Sequence, residues 1–514
     1  MIASVVLPAL ALLQKGGGAG GPMERVSNPT IIVVALAYFA VIVAISVWAT
    51  RRTRTASDFF VAGHGIGLAA LTVASVSTSV SGFAFIGGPG LLYSVGLGAL
   101  FIILPASVTN VLGAWVLAKR MRLLGEVRGL MTVPDAIGAR YRSPAAQGLS
   151  AVAILCGIVG YMATNCLAMG YVLDAIFGIG VTAGIWIGTG VTLAYSVAGG
   201  ILAGIYNDVF QGTLMAVAST LVFAAVLSVG GGMGGLSQSI LPSDPAFLGP
   251  WGKLTPLAAL SFFFVFGMGS LGQPQAVHKY YMLRDIRQLK WYPLLKSVGQ
   301  IVVLLLFFGV GIGVKALVTS GRMAPLARPD AATPSFLLQF TPALLAALVF
   351  AGAAAATMGA VNSFINIGAA AVTHDLPVAF GRRVTNELRW GRIATLVIAI
   401  VAAVIAQYSG ALVAFLGVFG WGLFASTTVP ALAIGLNWEG ATRAGAVSSI
   451  ATGLVVTLAL ESLAFFKVFS FPAGVSGTAV ALVLSLLAFF VVSWLTRARA
   501  AGELDPDVRL VMDV

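Results

Sequence analysis

The sequence predicts an all-α integral membrane bundle, and three observations predict it. Charged residues make up 9% of the 514 residues and hydrophobic ones 59%, whereas a soluble domain carries about 25% charged residues. The apolar residues fall in runs long enough to cross roughly 30 Å of hydrocarbon. Those runs lack the alternation of barrel strands, and only helices or closed barrels satisfy their backbone in lipid. A soluble enzyme, a disordered chain and a secreted disulfide scaffold are excluded.

Thirteen candidate spans lie at about 30–50, 66–95, 97–118, 147–178, 180–198, 205–229, 255–281, 296–320, 341–372, 392–410, 411–435, 442–466 and 474–496. With residue 30 starting outside, 22 of the 29 Lys and Arg residues fall in inward loops. The positive-inside rule then expects an outside amino terminus and a cytoplasmic carboxyl terminus in the cell (inner) membrane. The predicted organisation is an extension at 1–29, outside, a single transmembrane domain at 30–496, and a cytoplasmic tail at 497–514. Residues 1–14 are apolar but too short to span, and GGGAGG at 16–21 reads as a flexible linker.

The net charge of +12 sits in short loops between apolar runs, as membrane topology requires, so no nucleic-acid partner is expected. Cys156 and Cys166 are ten residues apart in one apolar run, about 15 Å of helical rise and beyond disulfide reach. His64, His278 and His374 are scattered and suggest no zinc or haem site.

Two candidate spans are interrupted. The second carries Ser75, Ser77, Thr78, Ser79, Ser81 and Gly82, then Gly87-Gly88-Pro89-Gly90. The seventh carries Gly267, Gly269, Ser270, Gly272, Gln273 and Pro274. Gly and Pro weaken or remove helical bonds, and in lipid such breaks are tolerated where they line a polar cavity. Two interrupted spans five helices apart are the pointer to an inverted-repeat transporter, although small residues also serve close helix packing.

A third polar concentration follows Ala353–Ala356, with Thr357, Asn362, Ser363 and Asn366, and ends at His374-Asp375. Intramembrane ionisable groups are functional by default. Asp208, behind Gly199-Gly200, reads evenly as cation ligand or solvated loop carboxylate. Asp174 and Glu461 read as solvated and Lys315 as snorkelling, while Trp421 reads as packing or interfacial before it reads as a gate.

Four stretches together resemble the sodium/solute symporter family, which includes bacterial proline and sodium/galactose transporters. They are the run Ala56–His64; Leu193–Gly200 with Asn207-Asp208 and Gln211-Gly212; Gly272-Gln273-Pro274 followed by Lys279; and Ala355-Ala356 through Asp375-Leu376. The resemblance implies a LeuT-type fold of two inverted five-helix repeats, with one leading and two trailing helices, working by alternating access. It implies a cation site on the backbone carbonyls of Ser77, Val80 and Ala356, with Asp208 on the cation's inward route. It also places Ser81, Tyr161, Phe266 and Gln273 near the solute, and Ser79 and Gly82 stand beside them in the interrupted span.

One departure matters. Where sodium-using members carry two hydroxyls, this chain has Gly359 and Ala360. Hard cations need oxygen ligands; Thr357, Asn362 and Ser363 lie nearby, but a shift of one or two helical positions turns a side chain by about 100–200°. Coupling through the usual sodium site is therefore expected to be weakened or absent, with Na+ or H+ as the coupling ion, or none, and Asp208 or Asp375 as proton carriers. The expected function is secondary transport of a small organic solute such as an amino acid, monocarboxylate or sugar, by a monomer in contact with lipid and without another cofactor. A transporter-like sensor and an ion-uncoupled facilitator are the alternatives. An intramembrane enzyme lacks support, since no HExxH or Gly-x-Ser-x-Gly lies at membrane depth.

Overall fold

A computed structural model describes residues 28–51, 66–382, 384–408, 413–466, 468–469, 471–499 and 504–513. The run Ala56–His64, nearly all of the 1–29 extension and part of the 497–514 tail lie outside the described residues. Among the described residues eleven helical stretches are long and apolar enough to cross a membrane, and two shorter apolar stretches, Leu68–Ser79 and Val181–Ala194, accompany them. Among the described residues the one β feature is a single bridge, Ile66 to Leu283.

The elements that build the site are α1 (Pro29–Thr50), α2 (Leu68–Ser79), α3 (Gly88–Val95), α4 (Leu100–Gly113), α5 (Val133–Tyr141), α6 (Pro144–Phe177), α7 (Val181–Gly230), α8 (Pro256–Gly269), α9 (Pro274–Val277), α10 (Tyr292–Thr319), α11 (Ala343–Ala370), α12 (Glu387–Tyr408), α13 (Val413–Thr428), α14 (Arg443–Phe465) and α15 (Gly477–Thr496). α11 packs along α7, α6 and α12, and α13 packs on α6. Every residue of α11 from Val349 to Ala370 is buried. Its alanines and glycines, without bulky side chains, let neighbouring backbones come close. α1 instead presents Val33, Leu36, Val43 and Trp48 outward, as a lipid-facing helix does.

Both interrupted spans are broken, though not everywhere the glycines and prolines suggested. α2 ends where Val80 turns extended (φ −100°, ψ 99°). The chain resumes as a π-helical turn, Phe83–Gly87, that runs into α3. The Gly87-Gly88-Pro89-Gly90 stretch is thus helical and continuous with that turn; the Phe85 carbonyl, four residues before Pro89 and so without its N–H, accepts from Thr333 Oγ1 at 2.6 Å. In the other span, α8 tightens through Ser270–Gly272. It breaks at Gln273 (φ −68°, ψ 110°), because a residue preceding proline is pushed out of the helical region.

The sequence reading also separated 180–198 from 205–229, and both lie within the 50-residue α7. The Gly199-Gly200 pair between them keeps helical backbone. Three side chains read as solvated or snorkelling have partners instead. Lys315 pairs with Asp244 at 2.8 Å. Asp174 accepts from the Gly180 N–H at 2.8 Å. Glu461 accepts from the backbone N–H of Thr478 at the amino end of α15, where a carboxylate is favoured. Cys156 and Cys166 are free thiols.

Gly82 marks the tightest approach near the first break. A methyl group on it would stand 2.5 Å from Thr357 Cγ2 and 2.7 Å from the Ala168 Cβ. Gly82→Ala is expected to cost about 1–3 kcal/mol through overpacking, read as a lower thermal midpoint of the purified protein, with Gly67→Ala, which meets nothing within 4 Å, as the unaffected control.

Candidate functional site

One small cavity lies beside the first break, with Phe266 of the second broken span in its wall. It is lined by Ser79, Val80, Ser81, Phe83, Tyr161, Phe266, Gln300, Phe307 and Trp421, among others, and its volume is about 40 Å³. At roughly 10–15 Å³ per water on this measure, it holds about three waters, so the described conformation is closed around the site. None of the residues lining it is charged. Its polar residues are Ser79, Gln300, Ser81 and Tyr161, the last two bonded through their hydroxyls at 3.0 Å, and Trp421, whose Nε1 is buried without a partner. Phe266 stacks on Trp421 at 5.2 Å and on Phe83 at 6.3 Å, making an aromatic wall.

Of the residues expected near the solute, Ser79, Ser81, Tyr161 and Phe266 line this cavity. Gly82 and Gln273 serve the breaks themselves. The Gly82 N–H donates to Asn165 Oδ1 at 2.9 Å, and the Gln273 amide donates to the Gly269 carbonyl at 3.1 Å. In each case a polar group freed by the interruption is satisfied. Asn165 was absent from the sequence reading, and Trp421, read there mainly as packing, forms part of the cavity wall.

A second cluster lies beside the first break. A methyl group on Gly359 would stand 2.9 Å from Asp208 Oδ1, 2.9 Å from Gln211 Oε1 and 3.2 Å from Ser77 Oγ. Three oxygens from α2 and α7 thus converge on the bare backbone of α11. Asp208 Oδ1 and Gln211 Oε1 are buried with no hydrogen-bond partner. On the far side of the same carboxylate, Lys279 Nζ donates to Asp208 Oδ2 at 2.9 Å and to the Ala74 carbonyl at 2.8 Å. Both side chains of this ion pair are almost wholly buried, so Asp208 is not a solvated loop carboxylate.

The side chains of the remaining expected cation residues make other contacts. Val80 lines the solute cavity. Asn362 accepts from Ser196 Oγ at 2.5 Å and from Asn366 Nδ2 at 3.3 Å and packs against Gly204. Ser363 Oγ is buried without a partner, and Ala356 and Ala360 contribute only buried apolar surface from their side chains. Sodium takes about five or six oxygens. Here the converging side-chain oxygens are three, the 359 and 360 hydroxyls are absent, and an ammonium already neutralises the carboxylate. The donor set does not fit a tightly held sodium ion.

Asp375, the other carboxylate considered as a proton carrier, is committed elsewhere. It accepts from Thr132 Oγ1 at 2.5 Å. His374 Nε2 meets both oxygens of Asp135 at 3.1 Å, and ligand atoms of Asp135, His374 and Asp375 lie within 4.8 Å of one another. The sequence reading saw His374 as isolated, because its partner is 239 positions away.

Both ends of the site are covered. At one end the Ile66 N–H donates to the Met282 carbonyl at 3.2 Å and the Arg284 N–H to the Ile66 carbonyl at 2.9 Å. At the other, Thr333 donates to the Phe85 carbonyl at 2.6 Å and Asp330 accepts from the Val413 N–H at 3.4 Å. Burial raises Asp330 to about 7, against the Val413 N–H and the Arg328 guanidinium, which pull it down.

An all-helical membrane bundle with two broken helices that both contribute to a closed midchain cavity is a secondary transporter of the LeuT type. Residues 59–453 match the sodium:solute symporter family, and the chain belongs to that family. It is 26% identical to the sodium/pantothenate symporter of Escherichia coli (strain K12) over 481 residues, covering 90% of this chain and 95% of that one. It is 25% identical to a sodium/proline symporter of Staphylococcus aureus over 500 residues, covering 94% and 96%. In fold it is similar to a Na+-coupled sialic acid symporter solved substrate-bound and outward-open, with a TM-score of 0.70 at 17% identity, covering 91% of this chain and 98% of that one.

Two outcomes are expected. Lys279→Met or Asp208→Asn, by leaving one partner buried alone, destabilises by about 3–5 kcal/mol, and the double variant recovers part of the loss; thermal unfolding of all four proteins checks this. Because the folded value of Asp330 lies above the ordinary carboxylate range, the folded protein binds the extra proton. Its contribution is complete at acid pH and is lost as pH rises through about 7. Asp330→Asn should flatten that part of the midpoint-against-pH profile.

Proposed function

We propose that the chain carries a small organic solute bearing a carboxylate, an amino acid or a monocarboxylate, across the cell membrane by alternating access, binding it in that cavity. The observation that carries this is a cavity beside the first break whose lining includes the Ser81 and Tyr161 hydroxyls, an indole and no charged side chain. A net-charged lining would select by charge alone. This one offers a donor, a hydroxyl pair and an aromatic wall, with the restarted helix at Gly82–Phe83 presenting its positive amino end. Pantothenate, proline and sialic acid, the solutes named for the relatives, all carry a carboxylate. A sugar would leave the helix end without its natural partner.

Family membership supports sodium as the coupling ion, and the missing hydroxyls at 359 and 360 favour a proton or no ion. The monomer is the proposed working unit, with its amino terminus outside and its carboxyl terminus in the cytoplasm. The proposed organisation keeps residues 30–496 as one transporter domain between the extension and the tail.

The test is a thermal-shift screen of amino acids, short monocarboxylates and sugars, followed by uptake of each hit into proteoliposomes. A carboxylate solute should raise the midpoint and accumulate, and Tyr161→Phe and Trp421→Phe should each weaken its binding about 5- to 30-fold, as expected for one hydrogen bond to a charged group. Hits confined to sugars would reject the carboxylate assignment.

A further inference from the structure

We infer that Lys279 is the resident cation of this chain: its ammonium does, as a fixed part of the protein, what a bound sodium ion would do between the first broken helix and α7. Three elements meet at that nitrogen. The Ala74 carbonyl comes from α2, one turn before the expected ligand Ser77; Asp208 comes from α7; and Lys279 itself comes from the turn after the second break. A cation bound at such a site holds helices together by drawing carbonyl and carboxylate oxygens onto one positive charge. Lys279 draws the same kinds of oxygen at 2.8 and 2.9 Å.

The glycine at 359 belongs to the same arrangement. A side chain there would start 2.9 Å from both Asp208 Oδ1 and Gln211 Oε1, closer than a real Cβ tolerates, so a hydroxyl-bearing residue and the present carboxylate position exclude one another. Ala360 adds no donor. The chain therefore lacks two hydroxyl ligands for a mobile ion and holds a fixed ammonium on the same carboxylate. With Asp208 neutralised by Lys279, an added monovalent cation would give the buried cluster a net positive charge, which low-dielectric surroundings oppose. The closed state thus forms without sodium.

This inference rests on the transporter reading only for the site's location, and its readouts are ion binding and stability, so a failed solute assignment leaves it standing. Purified wild-type protein should show thermal midpoints within about 1 °C in sodium and choline chloride and no saturable binding of radiolabelled sodium. Lys279→Ala should lower the midpoint, and methylammonium, small enough to enter the space left by the side chain, should restore it saturably, with choline as the inert control. Lys279→Gln combined with Gly359→Ser and Ala360→Ser should gain a saturable sodium-dependent rise in midpoint and sodium binding. Saturable sodium binding by the wild type, at about one ion per chain, overturns the inference, as does a Lys279→Ala protein as stable as the wild type. Should the triple variant fail to fold, wild-type sodium binding and the Lys279→Ala midpoint decide the question alone.

Discussion

A helix interrupted in hydrocarbon survives only if its surroundings hold it in place and answer the polar backbone it bares, and in this protein the Lys279–Asp208 pair holds the segment before the first break. It joins α2, α7 and the end of the second broken span through one nitrogen. Asn165 answers the restart of the first break at Gly82, and Gln273 answers the carbonyl of Gly269 in the second. The solute cavity exists because these contacts keep both interruptions from rewinding into continuous helices. Each group is costly to bury alone, so the three contacts also fix which side chains can change without collapse.

The surrounding bundle explains why the pair tolerates its setting. α11 is buried along nearly its whole length and carries small residues where Asp208 and Gln211 approach. Bulk there would push α7 away and leave the carboxylate wet. The aromatic wall of Phe83, Phe266 and Trp421 keeps the solute cavity dry on the other side of the break. Polar chemistry is thereby confined to two adjacent spots, one neutral and aromatic, the other an ion pair.

Much of this was legible in the sequence, for physical reasons that differ by element. Apolar run length gave the membrane class, since nothing but the bilayer selects for it. Pro274 located the second break because a proline constrains the residue before it. Gly87-Gly88-Pro89-Gly90 misled, because glycine permits a break without requiring one and Thr333 serves the carbonyl four residues before Pro89. Gly199-Gly200 likewise stays within a helix. The family resemblance pointed to Ser77, Asp208 and Gly359, which the fold brings together. The ammonium at that site was not legible, because Lys279 lies 71 positions from Asp208 and no periodicity links residues on different helices. The Asp135–His374 contact was hidden for the same reason.

The bridge between Ile66 and Leu283 has a mechanical consequence. It stitches the beginning of one broken span to the finish of the other by main-chain bonds, which side-chain replacement alone cannot remove. The two spans are thus coupled at that end like facing blades sharing a rivet. Opening there, if the rivet holds, has to swing both blades as one piece against α6, α11 and α13, and the gap that admits or releases cargo widens along the seam between piece and frame.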